Sequence, residues 1–327
     1  MEVEDLIAEE DVVITISHSG YIKRLPVSSY RKQGRGGKGV TGAEVREEDF
    51  MEHLFVASTH DYLLCFTDKG RVFWLRVYDI PQTSRQAKGK AIINLVEIQQ
   101  GEQMAAFVPV REFKEDRFLI MVTAQGMIKK TKLSEYGNPR RGGIVGIGLN
   151  TGDRLIRVLL SDGQQELLLA TSLGKAIRFP ESQVRDVGRG AKGVKGITLA
   201  KKDVVVGASP CPKGSAALTV TANGFGKRTP MEAYRTQSRG GKGIINLKVT
   251  KKNGEALTLL TVIDKDEVML ITQQGQMIRC PVKEIRTTGR AAQGVRLMRV
   301  GSKDTLASVA SVVPEEEEQV EPAPAKA

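Results

Sequence analysis

The chain of 327 residues has few of the residues that cross-link a fold or hold a metal, with three cysteines and three histidines. The cysteines are far apart and form no Cys-x-x-Cys pair, so neither a disulfide framework nor a zinc site is predicted, and a reducing cytoplasm fits this usage. The histidines are too scattered for a metal cluster. These residues are Cys65, Cys211, Cys280, His18, His53 and His60.

Long apolar segments and aromatic residues are also scarce. No apolar run approaches about 18 residues, so no transmembrane helix is predicted. The acidic start Met1-Glu-Val-Glu-Asp is unlike a signal peptide. Aromatic residues make up 5% of the chain, which argues against binding of single-stranded nucleic acid by base stacking. We therefore predict a cytoplasmic protein without a membrane span.

Positive charge is in excess, since Lys and Arg number 49 against 38 Asp and Glu, a formal net charge of +11. The excess is uneven, because residues 314–327 contain five Glu and one Lys, and the rest of the chain carries +15. A basic body favours an anionic partner, nucleic acid first and an acidic membrane surface second. The acidic end has no apolar content to bury, so we predict a disordered tail over 314–327.

The body of the chain consists of six copies of one unit of about fifty residues. Each copy has a glycine between two apolar runs that favour strands, as expected for a tight turn with a positive φ. The arginine fifteen residues later is present in all six copies. The turn glycines are Gly20, Gly70, Gly126, Gly174, Gly224 and Gly275, and the arginines are Arg35, Arg85, Arg141, Arg189, Arg239 and Arg290.

Further positions recur around this arginine and define a basic loop in each copy. A glycine follows four residues later in five copies, preceded by a lysine in four of them, whereas the third copy has Ile144 and Val145 instead. The fourth residue after the turn glycine is basic in five copies, and the second copy has Trp74 there. A unit of strand, turn, strand, basic loop and apolar run matches a propeller blade. We predict an all-β disc of six mostly four-stranded blades over 11–313, with 1–10 as a linker.

The glycines of the basic loops suit phosphate better than a dinucleotide. Gly34 to Gly39 and Gly188 to Gly193 match Gly-x-Gly-x-x-Gly, but Val40-Thr41-Gly42 does not start the helix that a dinucleotide fold requires. Arginine presents a planar fork of donors to phosphate, lysine adds a compact charge, and glycine lets backbone amides approach an anion. A purely structural role, in which arginines join blades and glycines only turn the chain, is the alternative interpretation.

Duplex DNA that follows several loops around a disc must bend. Bending about 40 bp through about 180° costs on the order of 10 kcal/mol, which several phosphate contacts offset and one does not. We therefore predict binding that is collective, independent of sequence and steeply dependent on salt.

One segment carries a family resemblance. Gln33-Gly34-Arg35-Gly36-Gly37-Lys38-Gly39 resembles the seven-residue box in the A subunit of bacterial DNA gyrase, Gln-Arg-Arg-Gly-Gly-Lys/Arg-Gly, and departs from it at Gly34. Gln237 to Gly243 in the fifth copy is a close echo, and the six copies and acidic tail fit as well. The resemblance implies the C-terminal DNA-wrapping domain of that type IIA topoisomerase, a six-bladed β-pinwheel. Such a domain wraps double-stranded DNA around its rim, which enables negative supercoiling by gyrase.

The resemblance also implies partners and a location. The cleavage domain lies upstream in the same subunit, the B subunit of gyrase completes an A2B2 holoenzyme, and the holoenzyme uses ATP and Mg²⁺, neither of which is expected in this chain. The catalytic tyrosine belongs upstream too, so we interpret Tyr30, Tyr136 and Tyr234, each ten residues after a turn glycine, as repeat residues and the chain alone as no enzyme. A bacterial, nucleoid-associated cytoplasmic location without a membrane partner follows.

The predicted DNA-binding residues are the box and the basic residues at the recurring positions. We expect the glycine loop of the third copy to contact DNA least, with its neighbouring basic residues compensating. The full set is Gln33, Gly34, Arg35, Gly36, Gly37, Lys38, Gly39, Lys23, Arg24, Arg31, Arg85, Lys88, Lys129, Lys130, Arg140, Arg141, Arg178, Arg189, Lys192, Lys227, Arg228, Arg239, Lys242, Arg279 and Arg290.

Three alternatives remain open. The matching domain of topoisomerase IV usually has fewer blades and a degraded box. A propeller-like scaffold for protein interactions would have an apolar or acidic face in place of a basic rim. An anion-binding enzyme would have one copy that diverges toward catalytic residues, whereas the third copy diverges toward Ile144 and Val145.

Overall fold

The computed structural model of the chain describes residues 3–27, 51–84 and 86–311. These residues contain 23 strands, and every strand pairing is antiparallel. In chain order the strands are β1 (Asp11–Ser17), β2 (Tyr21–Pro26), β3 (Met51–Ser58), β4 (Tyr62–Thr67), β5 (Arg71–Arg76), β6 (Lys90–Ala91), β7 (Met104–Val110), β8 (Phe118–Thr123), β9 (Met127–Lys132), β10 (Ile144–Val145), β11 (Leu155–Ser161), β12 (Glu166–Thr171), β13 (Lys175–Pro180), β14 (Val194–Lys195), β15 (Val205–Pro210), β16 (Ala216–Thr221), β17 (Phe225–Pro230), β18 (Ile244–Ile245), β19 (Ala256–Val262), β20 (Glu267–Thr272), β21 (Met277–Pro281), β22 (Val295–Arg296) and β23 (Leu306–Ser311). Short 3-10 helices span Val3–Leu6, Val77–Asp79, Ile92–Asn94, Leu133–Tyr136, Glu181–Gln183, Met231–Ala233 and Val282–Glu284.

The strands form six sheets, one for each repeat. Five sheets have four strands, and the sixth has three among the described residues. Their orders are β3-β1-β2-β6, β10-β5-β4-β7, β11-β8-β9-β14, β15-β12-β13-β18, β19-β16-β17-β22 and β21-β20-β23. The predicted all-β fold of six mostly four-stranded blades is confirmed.

Every blade is built around the predicted tight turn. The turn glycine has a φ between 80° and 87° in all six repeats, a backbone region that glycine enters without steric cost. A Ser or Thr three residues earlier accepts a hydrogen bond from the amide after the glycine at 3.1–3.3 Å. These hydroxyl residues are Ser17, Thr67, Thr123, Thr171, Thr221 and Thr272.

Neighbouring blades are joined by strand exchange. The two-residue strand that follows each described basic loop pairs with the sheet of the preceding repeat, as Lys195 does with Met127 and Ile245 with Lys175. This short strand is the outermost strand of that sheet, so we call the side of the disc formed by β6, β10, β14, β18 and β22 the outer edge. The exchange places the basic loops of repeats two to six beside the sheet of the blade before each of them.

The hydrophobic core is divided among the junctions between adjacent blades. One cluster combines Val12 and Ile14 of the first blade with Leu63 and Phe73 of the second, and the other clusters follow the same arrangement. The innermost strands β7, β11, β15, β19 and β23 contact one another in succession, and β23 contacts β3. Each blade is therefore stabilised mainly by the apolar faces of its two neighbours.

The sixth blade packs against the first and closes the ring. Ser308 Oγ donates to the carbonyl oxygen of Met51 at 3.0 Å, and Val13, Leu54 and Ala310 form a shared buried cluster. Among the described residues this cluster contains three buried residues, fewer than the clusters at the other junctions.

The predicted linker packs on the second blade. His60 Nε2 donates to the carbonyl oxygen of Ile7 at 2.7 Å, and Thr59 Oγ1 donates to that of Ala8 at 2.8 Å. Arg111 pairs with Glu9 at 3.2 Å. The predicted domain boundaries stay a prediction, and the predicted tail lies outside the described residues.

Candidate nucleic-acid interface

The basic residue four positions after the turn glycine joins two blades. Arg24 donates through Nε to the carbonyl oxygen of Ile80 at 2.6 Å, and Arg228 does so to Ile285 at 2.6 Å. Lys130 reaches the carbonyl oxygen of Glu181 at 3.3 Å. Arg178 donates to the carbonyl oxygens of Met231 and Tyr234 and pairs with Glu166. Each acceptor carbonyl lies at a 3-10 helix of the next repeat.

Trp74 fills this position in the second repeat and makes the same contact. Its indole Nε1 donates to the carbonyl oxygen of Tyr136 at 2.8 Å. The apparent break in the sequence pattern is therefore a substitution of one donor for another. The backbone places this side chain against the following repeat. An isolated parallel β-bridge to that repeat is formed at this position by Arg24, Lys130, Arg178 and Arg228.

The lysines three positions after the turn glycine are buried under the basic loops. Lys129 Nζ donates to the carbonyl oxygen of Arg189 at 2.6 Å, and Lys227 Nζ donates to that of Arg290 at 2.6 Å. Both lysines are 0% exposed. Burial lowers the pKa of each ammonium to about 7, because a charge loses its hydration in the interior.

These contacts give part of the predicted DNA-binding set a role inside the fold, and DNA binding by those residues stays a prediction. Lys129, Lys130 and Lys227 are buried, and their ammonium groups bind main-chain oxygens of the next repeat. Arg24, Arg178 and Arg228 are half-buried and engaged in the same way. Lys23 lies under the second loop, where its Nζ donates to the carbonyl oxygen of Ala87 at 2.7 Å. Arg279 pairs with Glu267 of its own hairpin.

Three arginines of the basic loops lie at the outer edge and contact the preceding short strand. Arg189 Nη1 donates to the carbonyl oxygen of Val145 at 3.0 Å, Arg239 Nη1 to that of Lys195 at 2.6 Å, and Arg290 Nη1 to that of Ile245 at 2.7 Å. Each acceptor is the last residue of a short outer strand. The three arginines are half-exposed, so their remaining N–H groups stay near the surface.

The third loop differs, as its sequence indicates. Arg141 has a side chain that is 93% exposed and pairs with Glu97 at 3.0 Å. Arg140 is exposed beside it, and both arginines line an open groove of about 330 Å³ with Trp74. The loop still turns through Gly143, whose φ is 72°.

Apart from Arg279 in β21, the exposed members of the predicted set that the structure describes lie in the basic loops. Lys88, Lys192 and Lys242 occupy the same position in three loops and are all exposed. Lys88 Nζ lies 3.7 Å from the ring centroid of Tyr21. Whether these residues bind DNA stays a prediction. Gln33, Gly34, Arg35, Gly36, Gly37, Lys38, Gly39, Arg31 and Arg85 lie outside the described residues.

One recurring cation is missing from the predicted set except for Arg31. Arg185, Arg235 and Arg286 stand eleven residues after their turn glycines and are exposed in all three repeats, and Arg31 occupies that position in the first. Lys195 and Arg296 end two of the outer strands and are exposed as well. The constant spacing of eleven residues from the turn glycine is the sequence signal that indicates Arg185, Arg235 and Arg286.

The tyrosines interpreted as repeat residues are engaged inside the fold. Tyr136 Oη donates to the carbonyl oxygen of Gly146 at 2.9 Å, and Tyr234 Oη donates to Asn246 Oδ1 at 2.5 Å. Burial raises the pKa of Tyr234 to about 12. Among the described residues, no group of three or more His, Cys, Asp or Glu is placed to hold a metal. No helix in the described part of the chain has the length and hydropathy to span a membrane.

Comparison with known proteins identifies one family. The model of the DNA gyrase C-terminal domain, a β-propeller, matches residues 11–58, 61–109, 117–162, 165–212, 217–263 and 266–312. The chain is 46% identical over 321 residues to the A subunit of DNA gyrase from Salmonella typhimurium, covering 97% of this chain and 36% of that protein. It is 45% identical over 324 residues to the A subunit of DNA gyrase from Staphylococcus aureus, covering 98% and 37%. The chain thus spans a little over a third of the length of these relatives.

Two solved structures are similar in fold. The structure of the DNA gyrase A C-terminal domain has a TM-score of 0.78 and 25% identity, covering 93% of this chain and 100% of that one. The crystal structure of the C-terminal domain of DNA topoisomerase IV has a TM-score of 0.77 and 29% identity, covering 95% of both chains.

Proposed function

The chain belongs to the DNA gyrase C-terminal domain family, and we propose that it binds double-stranded DNA along its outer edge and bends it around the disc. The observation that carries this proposal is the recurrence of exposed cations at equivalent places on successive blades. Lys192 and Lys242 repeat in the basic loops, and Arg185, Arg235 and Arg286 repeat beside them.

The chemistry of these positions suits phosphate. Lysine offers a compact charge and arginine a planar fork of donors, and neither reads base sequence when it contacts the backbone. Because strand exchange fixes each loop against the preceding sheet, the cations have a set spacing around the disc. Duplex DNA is a stiff polyanion, so regularly spaced cations can contact several of its phosphates at once and the contacts add to the binding affinity.

The bend requires such collective action. Wrapping about 40 bp through about 180° costs on the order of 10 kcal/mol. Each phosphate neutralised releases counterions and contributes favourably at low salt. Binding should therefore be independent of sequence, and wrapping should fail when a few phosphate contacts are removed, even while simple binding persists.

The role in the whole protein follows the family. We propose that the wrapped DNA enables negative supercoiling by a gyrase in which this chain follows the cleavage domain of the A subunit, within an assembly of two A and two B subunits. ATP and Mg²⁺ are used elsewhere in that A2B2 assembly. The location would be the bacterial cytoplasm, in association with the nucleoid.

A role in topoisomerase IV is the second candidate, because the C-terminal domain of that enzyme shares the fold at a TM-score of 0.77. Gln33 to Gly39 and the similarity to A subunits of gyrase favour the first candidate. Negative supercoiling by the complete enzyme distinguishes the two, since a topoisomerase IV role predicts relaxation and decatenation without it.

The test is a topology assay. A nicked DNA circle is sealed with ligase in the presence of the full chain, and the linking number is compared with that of the free circle. We expect a shift with the native chain and its loss in Arg35→Ala/Lys38→Ala, with duplex affinity reduced less. The matched control is Lys114→Ala/Lys213→Ala, two exposed lysines in connections that follow innermost strands. An unchanged linking number with the native chain would remove the proposal.

A further inference from the structure

The six repeats alternate in sequence at two positions, and these positions lie close together at the blade junctions that the structure describes. The third residue after the turn glycine is lysine in odd repeats and apolar in even ones. The seventeenth is glycine in odd repeats and alanine in even ones. The first series is Lys23, Phe73, Lys129, Ile177, Lys227 and Ile278, and the second is Gly37, Ala87, Gly143, Ala191, Gly241 and Ala292.

The lysine of an odd blade lies under the alanine-containing loop of the next repeat. Lys227 Nζ donates to the carbonyl oxygens of Gly289 and Arg290 at 2.9 and 2.6 Å, and to Thr229 Oγ1 at 3.3 Å. Lys129 Nζ donates to the carbonyl oxygens of Gly146 and Arg189. Lys23 reaches Ser84 and Ala87 in the second loop. Three loops are therefore held from beneath by an ammonium group.

The loops of the other class rest on apolar side chains. A Cβ placed on Gly143 would lie 2.9 Å from Cε1 of Phe73, and one on Gly241 would lie 3.6 Å from Cδ1 of Ile177. The glycine thus lets the third loop approach a bulky side chain. At these two junctions an apolar side chain replaces the ammonium and its bonds to the loop backbone.

The geometry of the lysine fits the charged form. An ammonium has three N–H donors and no acceptor, and Lys227 faces three oxygen atoms. Drawing the loop carbonyls inward fixes the backbone from which Arg189 and Lys192 in one loop, and Arg290 in another, extend to the outer edge. The buried charge also adds positive potential beneath each of these loops.

Resting on the proposed DNA-binding function, we infer that Lys129 and Lys227 are positioning residues for the loops 187–193 and 288–294. They hold these loops in the conformation that presents their cations to DNA phosphates, whereas the loops 137–143 and 237–243 bind without such support. DNA is then held by two kinds of loop that alternate around the disc.

The protonation of these lysines offers an independent readout. Burial lowers the pKa of Lys129 to about 7, with Glu135 opposing and Arg189 assisting, and that of Lys227 to about 7, with Arg290 assisting. Tyr136 shares the carbonyl of Gly146 with Lys129. Above this pH the neutral amine has one donor fewer, so the supported loops lose part of their hold.

The decisive test is a pair of double-mutant cycles on duplex affinity in the full chain. Lys129→Met is combined with Lys192→Ala, which lies in the supported loop, and with Lys242→Ala, which occupies the same place in an unsupported loop. We expect Lys192→Ala to weaken binding at least threefold less in the Lys129→Met background than in the native chain. Lys242→Ala should have the same effect in both backgrounds.

Each outcome bears on a different claim. If both alanine substitutions weaken binding but both cycles are additive, Lys129 is a structural residue only and the inference fails while the DNA-binding function stands. If neither substitution weakens binding, the proposed function fails. Should Lys129→Met not fold, Lys129→Gln retains two donors without the charge and enters the same cycles. The native affinity should also fall between pH 6 and 8.5 more than that of the Lys129→Met/Lys227→Met chain, and equal slopes would overturn the inference.

Discussion

Arg189 and Val145 are joined across two repeats, because Nη1 of Arg189 donates to the carbonyl oxygen of Val145 at 3.0 Å. The bond recurs between Arg239 and Lys195 and between Arg290 and Ile245. The arginine that the sequence assigns to DNA therefore also fixes the position of its loop relative to the preceding one. Loop spacing and charge at the outer edge depend on the same side chain.

Replacing one of these arginines should cost stability. Arg239→Ala removes the bonds to the carbonyl oxygens of Lys195 and Gln183, and we expect the free energy of unfolding in urea to fall by about 1–2 kcal/mol. Arg141→Ala is the matched control, since Arg141 is exposed and makes a surface ion pair worth at most about 1 kcal/mol. Equal losses in the two variants would show that the inter-loop bond contributes nothing.

The inter-blade arginine should matter more. Arg178→Ala removes the bonds from its guanidinium to Glu166 and to the carbonyl oxygens of Met231 and Tyr234, which we expect to lower the free energy of unfolding by about 2–4 kcal/mol. Arg279→Ala breaks a pair within one hairpin and should cost about 1 kcal/mol or less. Urea unfolding of both variants measures the difference, and the reverse order would contradict the inter-blade role.

Glycines of positive φ differ from one another in how closely other atoms approach them. A Cβ on Gly174 would lie 2.2 Å from the carbonyl oxygen of Leu247, whereas one on Gly101 meets nothing within 4 Å, although the two φ angles are +87° and +83°. Gly101→Ala should cost about 1–2 kcal/mol of backbone strain. Gly174→Ala adds a clash with backbone and should cost at least about 3 kcal/mol. Thermal unfolding measures both losses. Equal losses of stability in Gly101→Ala and Gly174→Ala would contradict the close approach of the Leu247 carbonyl oxygen to Gly174.

The buried lysines make stability depend on pH. Their pKa of about 7 in the folded chain lies below the unfolded value near 10.4. Between these values the unfolded chain retains protons that the folded chain has released, so the free energy of unfolding rises with pH. The rise is on the order of a few kcal/mol and should shrink in Lys129→Met/Lys227→Met. Unfolding in urea from pH 6.5 to 10 tests this, and parallel curves for the two chains would contradict it.

How much the sequence predicts depends on the range of the interaction. The six turns follow from local spacing, because a tight turn needs its glycine wherever the repeat occurs. Strand exchange does not follow, since Tyr21 pairs with Ala91 seventy residues away and a two-residue strand leaves no periodic pattern.

Only part of the candidate site could be predicted, because burial also depends on contacts between residues distant in sequence. Lysine and arginine serve both phosphate and main-chain carbonyls, so a fixed offset from the turn glycine does not separate Arg178, which ties blades, from Lys192, which is exposed. Trp74 looks like an exception in the sequence because the other five repeats have a charged residue at this position. The structure shows that an N–H donor is sufficient there, and the indole of Trp74 supplies one. Only burial, which arises from tertiary packing, distinguishes the two kinds of cation.

The most direct test of the central claim is the salt dependence of duplex binding. Log affinity falls as log salt concentration rises. If exposed lysines on successive blades contact phosphates, Lys88→Ala/Lys192→Ala/Lys242→Ala should make this negative slope shallower by about 0.9 for each phosphate that is no longer neutralised. Lys114→Ala/Lys213→Ala/Lys265→Ala removes the same charge from exposed sites elsewhere and should leave the slope nearly unchanged. Equal changes of slope in the two triple variants would show that net charge, and not the outer edge of the disc, binds DNA.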